Sequence, residues 1–199
     1  MTVPGPPWSL SGKCMAAFVH THHREPLPIG APLPGPSLVV AARYDTSPVG
    51  AYLELAVGRP ARIGPWPGLC VTTMVVDSAE SRSGGRLYWG FPKELSALRW
   101  TKDPGGASLR WEGRDLQVRG HPHGPAMPVA VPLCCVQDRD GPVAILGRLR
   151  GRMRAAIIEI EAPATDALEG LAGEHRGLMV TGLRLVMGRA RPRGGAVRP

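Results

Sequence analysis

Glycine and proline punctuate this chain from end to end, 26 and 22 of them in 199 residues. Breakers that close together leave room for short segments between turns and little for long helices. The segments that remain are apolar and rich in β-branched residues. Lys13–His20, Ser37–Tyr44, Ala51–Val57 and Leu69–Val76 read as strands. His22–Pro36 carries five prolines and is expected as loop or extended edge. The pair Gly84-Gly85 is expected to break the chain before a short apolar strand, Arg86–Trp89. Leu95–Thr101, Ser108–Glu112 and Asp115–Arg119 form a meander, joined by Asp103-Pro104-Gly105-Gly106 and Glu112-Gly113-Arg114-Asp115. Ala126–Gln137 and Val143–Arg150 flank the turn Asp138-Arg139-Asp140-Gly141, and Arg152–Glu161 and Leu178–Met187 are further strands. Thr165–Leu171, with Thr165 or Asp166 as cap and Gly173 beyond it, is the best short helix. About ten short strands at regular spacing predict a mostly β (α+β) fold, a closed or nearly closed antiparallel architecture with one or two short helices. One domain over 1–188 is expected, with a disordered arginine-rich tail over 189–199.

The net charge is +8, and arginine supplies nearly all of it, because the lysines are Lys13, Lys93 and Lys102 alone. Arg148, Arg150, Arg152 and Arg154 alternate with other residues, which puts all four on one face of a strand. That face reads as solvated; with aromatics at 5% a stacking platform for nucleic acid is not expected. Cys14, Cys70, Cys134 and Cys135 lack CxxC spacing, so they read as reduced, buried thiols. The N-terminus lacks a basic region followed by an apolar run, and no stretch approaches the ~20 apolar residues of a membrane span. The expectation is a soluble cytoplasmic protein with no membrane partner. His22-His23 and His121-Pro122-His123 read as solvated loop histidines, and no metal site is expected.

Gly90-Phe91-Pro92-Lys93-Glu94 is the segment richest in chemistry. Its lysine sits among Leu87, Tyr88, Trp89, Leu95 and Leu98. Such neighbours are compatible with a lysine that snorkels to the surface. A snorkelling lysine is the commoner outcome in such a run; the alternative is a desolvated amine, for which burial disfavours the ammonium form and exposes a nucleophile. Glu54, in Gly50-Ala51-Tyr52-Leu53-Glu54, is either an outward strand carboxylate or a proton carrier within reach of that amine. Gly84-Gly85-Arg86 is no phosphate loop, because the Lys-Ser/Thr ending is missing.

Taken in order, Gly50-x-Tyr52-x-Glu54, the run ending Val75-Val76-Asp77, Gly85-Arg86 and Pro92-Lys93 resemble the acetoacetate decarboxylase superfamily, with no gap needed between Glu54 and Lys93. The resemblance covers about residues 44–100 and, more faintly, 150–188. It implies a cone-shaped barrel around an apolar pocket, usually in oligomers, with Lys93 as the imine-forming lysine and Glu54 as the active-site glutamate. The implied reaction is attack of Lys93 on the ketone of a β-keto acid. Carbon dioxide leaves into the protonated imine, and the resulting enamine is protonated and hydrolysed to the ketone. No metal or organic cofactor is needed for that chemistry. The chain departs from the pattern in three places. Glu94 stands where the well-known decarboxylases carry a second lysine. No arginine near the start matches the substrate-binding one. An acidic residue ahead of the Tyr-x-Glu strand is replaced by an apolar one around Val39. The same lysine also suits an imine-dependent aldolase or dehydratase, and the barrel suits a non-catalytic module for an apolar small molecule. An anion-binding module using the arginine-rich strand and the arginine-rich tail, resting on charge alone, is the third reading.

Overall fold

The computed structural model describes residues 3–20, 26–163 and 168–193. Among them the chain forms β1 (Trp8–Val19), β2 (Ala31–Pro32), β3 (Ser37–Thr46), β4 (Tyr52–Ile63), β5 (Trp66–Val76), α1 (Ala79–Trp89), β6 (Lys93–Leu95), β7 (Leu98–Asp103), β8 (Gly106–Trp111), β9 (Leu116–Asp138), β10 (Pro142–Glu161) and β11 (Gly173–Pro192). All the strands join one mostly antiparallel sheet, in the order β6-β5-β4-β3-β1-β11-β10-β9-β8-β7 with β2 on β4. A short parallel pairing of β5 with β9, Leu69 opposite Cys135 and Cys70 opposite Val136, closes the sheet on itself. The result is a ring made by β1, β3, β4, β5, β9, β10 and β11.

Side-chain alternation decides what each face of the ring meets. Along β1, Trp8, Leu10, Cys14, Ala16 and Phe18 face the inside, while Met15, Ala17 and Val19 face a second core. That second core lies between the outer face of the wall and the β7–β8 hairpin with the start of β9, where Leu109, Trp111, Leu116 and Val118 pack on Val39, Ala41, Leu55 and Val57. Strand β4 is therefore covered on both faces, which is why Leu-Glu-Leu-Ala-Val lacks a clean polar alternation. The fold places Val39 in this outer core and its neighbours Leu38 and Val40 on the inside.

Several expectations are corrected. Arg86–Trp89 is not a strand: α1 runs through Gly84-Gly85 to Trp89. Ser78 caps it, accepting from the Ser81 N–H, and Gly90 ends it in the left-handed conformation, donating to the Arg86 carbonyl. The segments 116–138 and 142–161 are two long strands rather than four short ones. His121 and His123 lie in β9, not in loops; His121 stands opposite Ile157 and His123 opposite Ala155. The described part of the expected helix Thr165–Leu171 is a 3-10 turn, Glu169–Leu171, and Thr165 and Asp166 fall outside the described residues, as do His22 and His23. Strand β11 continues to Pro192, opposite Val143, and the Arg193 guanidinium lies 3.8 Å from the centre of the Trp66 ring. The sheet thus includes residues 189–192, which the sequence reading assigned to a disordered tail; 194–199 fall outside the described residues.

No helix among the described residues is long and apolar enough to cross a membrane. Arg148, Arg150 and Arg152 are exposed on β10 and Arg154 is half-buried, while Leu149 and Met153, interspersed among the four, line the inside of the ring.

Candidate active site

The ring encloses a cavity of about 420 Å³. Its lining is almost wholly apolar, and the ionisable side chains on it that carry a formal charge are Lys93 and Glu54. Among the described residues no arginine lines it. Both sequence-predicted site residues are thus inside, and their side chains meet. Lys93 Nζ donates to Glu54 Oε2 at 2.8 Å and to Ser81 Oγ at 2.9 Å, with Lys93 only 3% exposed and Glu54 8%. These bonds occupy two of the three donors of an ammonium group. The Tyr52 ring centre is 5.3 Å from the nitrogen. Tyr44 Oη donates to the second oxygen of Glu54 at 3.3 Å.

Local structure explains how a lysine comes to sit there. The turn at Gly90 returns the chain so that Phe91 N–H bonds the Gly85 carbonyl, and β6 then runs parallel to β5, with Lys93 opposite Met74. Arg86 Nε donates to the Lys93 carbonyl at 2.7 Å, tying strand to helix. The Lys93 stem lies directly on Gly85: a Cβ there would stand 2.5 Å from Lys93 Cδ and 2.6 Å from Cε. Glu94, next along β6, is exposed, so its carboxylate faces away from the amine.

The sequence reading missed Ser81, Tyr44 and Gly85 as site residues. A signal existed, since Ser81, Gly84, Gly85 and Trp89 repeat at helical spacing and are the buried face of α1. Reading 86–89 as a strand hid it. The five tryptophans divide: Trp8 and Trp89 pack edge to face, 4.9 Å between centres, at the buried end of the cavity, whereas Trp66 is 39% exposed.

Burial governs the other titratable groups around the site. Tyr44 and Tyr52 are pushed well above the usual phenol range, first by desolvation and then by the Glu54 charge. The Cys14 and Cys135 thiols are each pushed up to about 12 by burial, so neither supplies a thiolate at neutral pH. All four cysteines are unpaired thiols, and no cluster of three or more His, Cys, Asp or Glu side chains among the described residues could hold a metal. A stability prediction follows. These thiols titrate near 9.0 when unfolded and near 12 when folded, so above pH 9 the unfolded chain binds fewer protons and stability falls. The two together are expected to cost about 2 kcal/mol between pH 9 and 10. Urea unfolding of the parent and of Cys14→Ala across that range measures it, the variant's stability falling by about 1 kcal/mol less than the parent's.

A ring of strands around an apolar cavity, with one buried lysine–carboxylate pair at its closed end, defines a lysine-centred small-molecule pocket. The chain belongs to the acetoacetate decarboxylase family, whose model matches residues 25–126. Solved structures of similar fold include the enduracididine biosynthesis enzyme MppR complexed with pyruvate, at 15% identity and a TM-score of 0.72 over 97% of this chain and 92% of that one. An acetoacetate decarboxylase structure is similar at 15% identity and 0.68, over 95% and 90% of the two chains. The acetoacetate decarboxylase of Legionella pneumophila is similar at 16% and 0.64, over 100% and 90%. Likeness at this level of identity concerns the fold. No curated protein matches.

Proposed function

We propose that this protein is an imine-forming enzyme that takes a carbonyl compound onto Lys93, most simply a decarboxylase of a β-keto acid. The observation that carries this reading is the Lys93 amine, buried in an apolar cavity and held 2.8 Å from Glu54 and 2.9 Å from Ser81. An ammonium group cannot attack a carbonyl. With Glu54 in contact, the proton has a place to go: it passes from Nζ to the carboxylate, and the free amine adds to the carbonyl carbon. Glu54 then returns the proton to the carbinolamine hydroxyl, which leaves as water and gives the protonated imine. In a β-keto acid the bond to the carboxylate breaks next. Its electron pair moves into the iminium to give an enamine and carbon dioxide. Protonation at carbon and hydrolysis release the ketone and regenerate Lys93. Ser81, fixed by the first turn of α1, keeps the nitrogen in place while Glu54 exchanges its proton.

An imine-dependent aldolase or dehydratase shares the first three steps and differs after the iminium. A binding module is the alternative favoured by the near-absence of polar groups on the lining. Borohydride reduction with a panel that includes acetoacetate and pyruvate separates these readings. A stable adduct mapped to the peptide holding Lys93 is the expected result. Carbon dioxide release from the same mixtures distinguishes the decarboxylase from the other imine chemistries. Failure to trap any keto compound, while an apolar ligand still binds, would leave the module.

A further inference from the structure

The site has a direction. At one end Trp8, Trp89, Tyr44, Tyr52 and Lys93 are all buried, and this end is closed. At the other, Phe18 and Val131 are each 39% exposed on the cavity lining, with Leu38, Leu69 and Leu178 half-buried beside them. The register measures the distance between the two ends. Glu54 on β4 stands opposite Ala42 on β3, and Leu38 stands opposite Gly58. Four residues of strand at ~3.3 Å each separate these levels, about 13 Å. Between them the wall is Val40 opposite Ala56, both facing the cavity.

A guest whose carbonyl reaches Lys93 must therefore enter past an apolar rim and along an apolar wall. The volume, about 420 Å³, is room for roughly fourteen non-hydrogen atoms at the ~30 Å³ one water takes in the liquid. A four-carbon keto acid would leave about half of it empty, and a lining this apolar favours apolar guests. The wall offers a second charged group on the guest no arginine or lysine between Lys93 and the rim, among the described residues.

We infer that the compound taken by Lys93 carries its carbonyl at or near one end of a slender apolar chain about 13 Å long, by the same strand rise, the tail lying between Val40 and Ala56 and ending at the Phe18–Val131 rim. This assignment of substrate class rests on the imine reading above. The covalent step is the one already balanced there: Nζ gains the carbonyl carbon, and the carbonyl oxygen leaves as water.

The test is reductive trapping of the full-length protein with unbranched methyl ketones from 2-butanone to 2-tridecanone at one low concentration, read by intact mass. Adduct yield is expected to climb about threefold per added methylene, somewhat under the factor given by burying one CH₂ group, and to level off once the tail passes the rim. Val40→Phe, which narrows the passage, is expected to move that plateau to shorter ketones. Trapping that is equal at every length, or greatest for the shortest ketone, overturns the substrate assignment and leaves the imine reading intact. A plateau unmoved in folded Val40→Phe also overturns it, because the tail then runs elsewhere. No adduct at any length, with the parent folded by circular dichroism, overturns both.

Discussion

Lys93→Met should unfold about 3–5 kcal/mol more easily than the parent protein and should form no borohydride adduct. The magnitude comes from what the substitution leaves behind. Methionine fills much of the space of the lysine stem, so little packing is lost. Glu54, however, remains inside the ring, 8% exposed, with its nearest counter-charge removed and, among the described residues, the Tyr44 hydroxyl bonded to it at 3.3 Å. A buried ion deprived of its partner typically costs 3–5 kcal/mol, whereas removing both charges together costs little. The double variant Lys93→Met/Glu54→Gln is therefore expected to regain most of the lost stability and none of the trapping. Urea midpoints for the two single variants and the double variant give the coupling directly. A coupling below about 1 kcal/mol, the range of exposed pairs, would mean that the pair is wetter than its burial indicates. It would also remove the enclosed, apolar setting on which the proposed amine chemistry depends.

The sequence carried the β character, because turn residues recur at short intervals and the segments between them are apolar and β-branched. The association of Lys93 with Glu54 came from the resemblance of the ordered set, Gly-x-Tyr-x-Glu through Pro-Lys, to the acetoacetate decarboxylase superfamily, and from no local pattern. Three things were not legible. Long strands such as β9 contain proline and glycine, among them Pro122, Gly124, Pro125 and Pro128, that read locally as ends. They persist as strand because β10 pairs along nearly the whole length, with one irregularity between Met153 and Ala155. Closure of the ring by β5 and β9 joins residues 66 positions apart, Leu69 and Cys135, and no local pattern encodes that. Helix α1 was hidden by its own glycines. Gly84 and Gly85 are poor helix formers, yet packing demands them: a Cβ on Gly84 would stand 2.6 Å from the Trp8 ring, and one on Gly85 would meet the lysine stem. Propensity argued for a break where tertiary contact required the absence of a side chain.

That contact makes Gly85→Ala the substitution that should separate folding from chemistry most sharply. Alanine in a helix interior is favoured over glycine by about 1 kcal/mol, so the helix itself gains. The new methyl would occupy space now held by Lys93 Cδ and Cε, at 2.5 and 2.6 Å, and ordinary contact needs roughly an ångström more. The backbone of Lys93 cannot yield easily, being tied by Arg86 to its carbonyl and by β5 alongside. The side chain must bend instead, and it is the Nζ end, bonded to Glu54 and Ser81, that shifts. Misplacing a reacting group by about 1 Å can cost 100-fold in rate. Gly85→Ala is thus expected to keep a cooperative unfolding transition within about 1 kcal/mol of the parent while its adduct forms about 100-fold more slowly with every carbonyl compound the parent accepts. Its chain-length preference should be unchanged, because the wall from Val40 to the rim is untouched. Equal trapping rates in variant and parent would show that the amine reaches the carbonyl from a position other than the one Gly85 now allows.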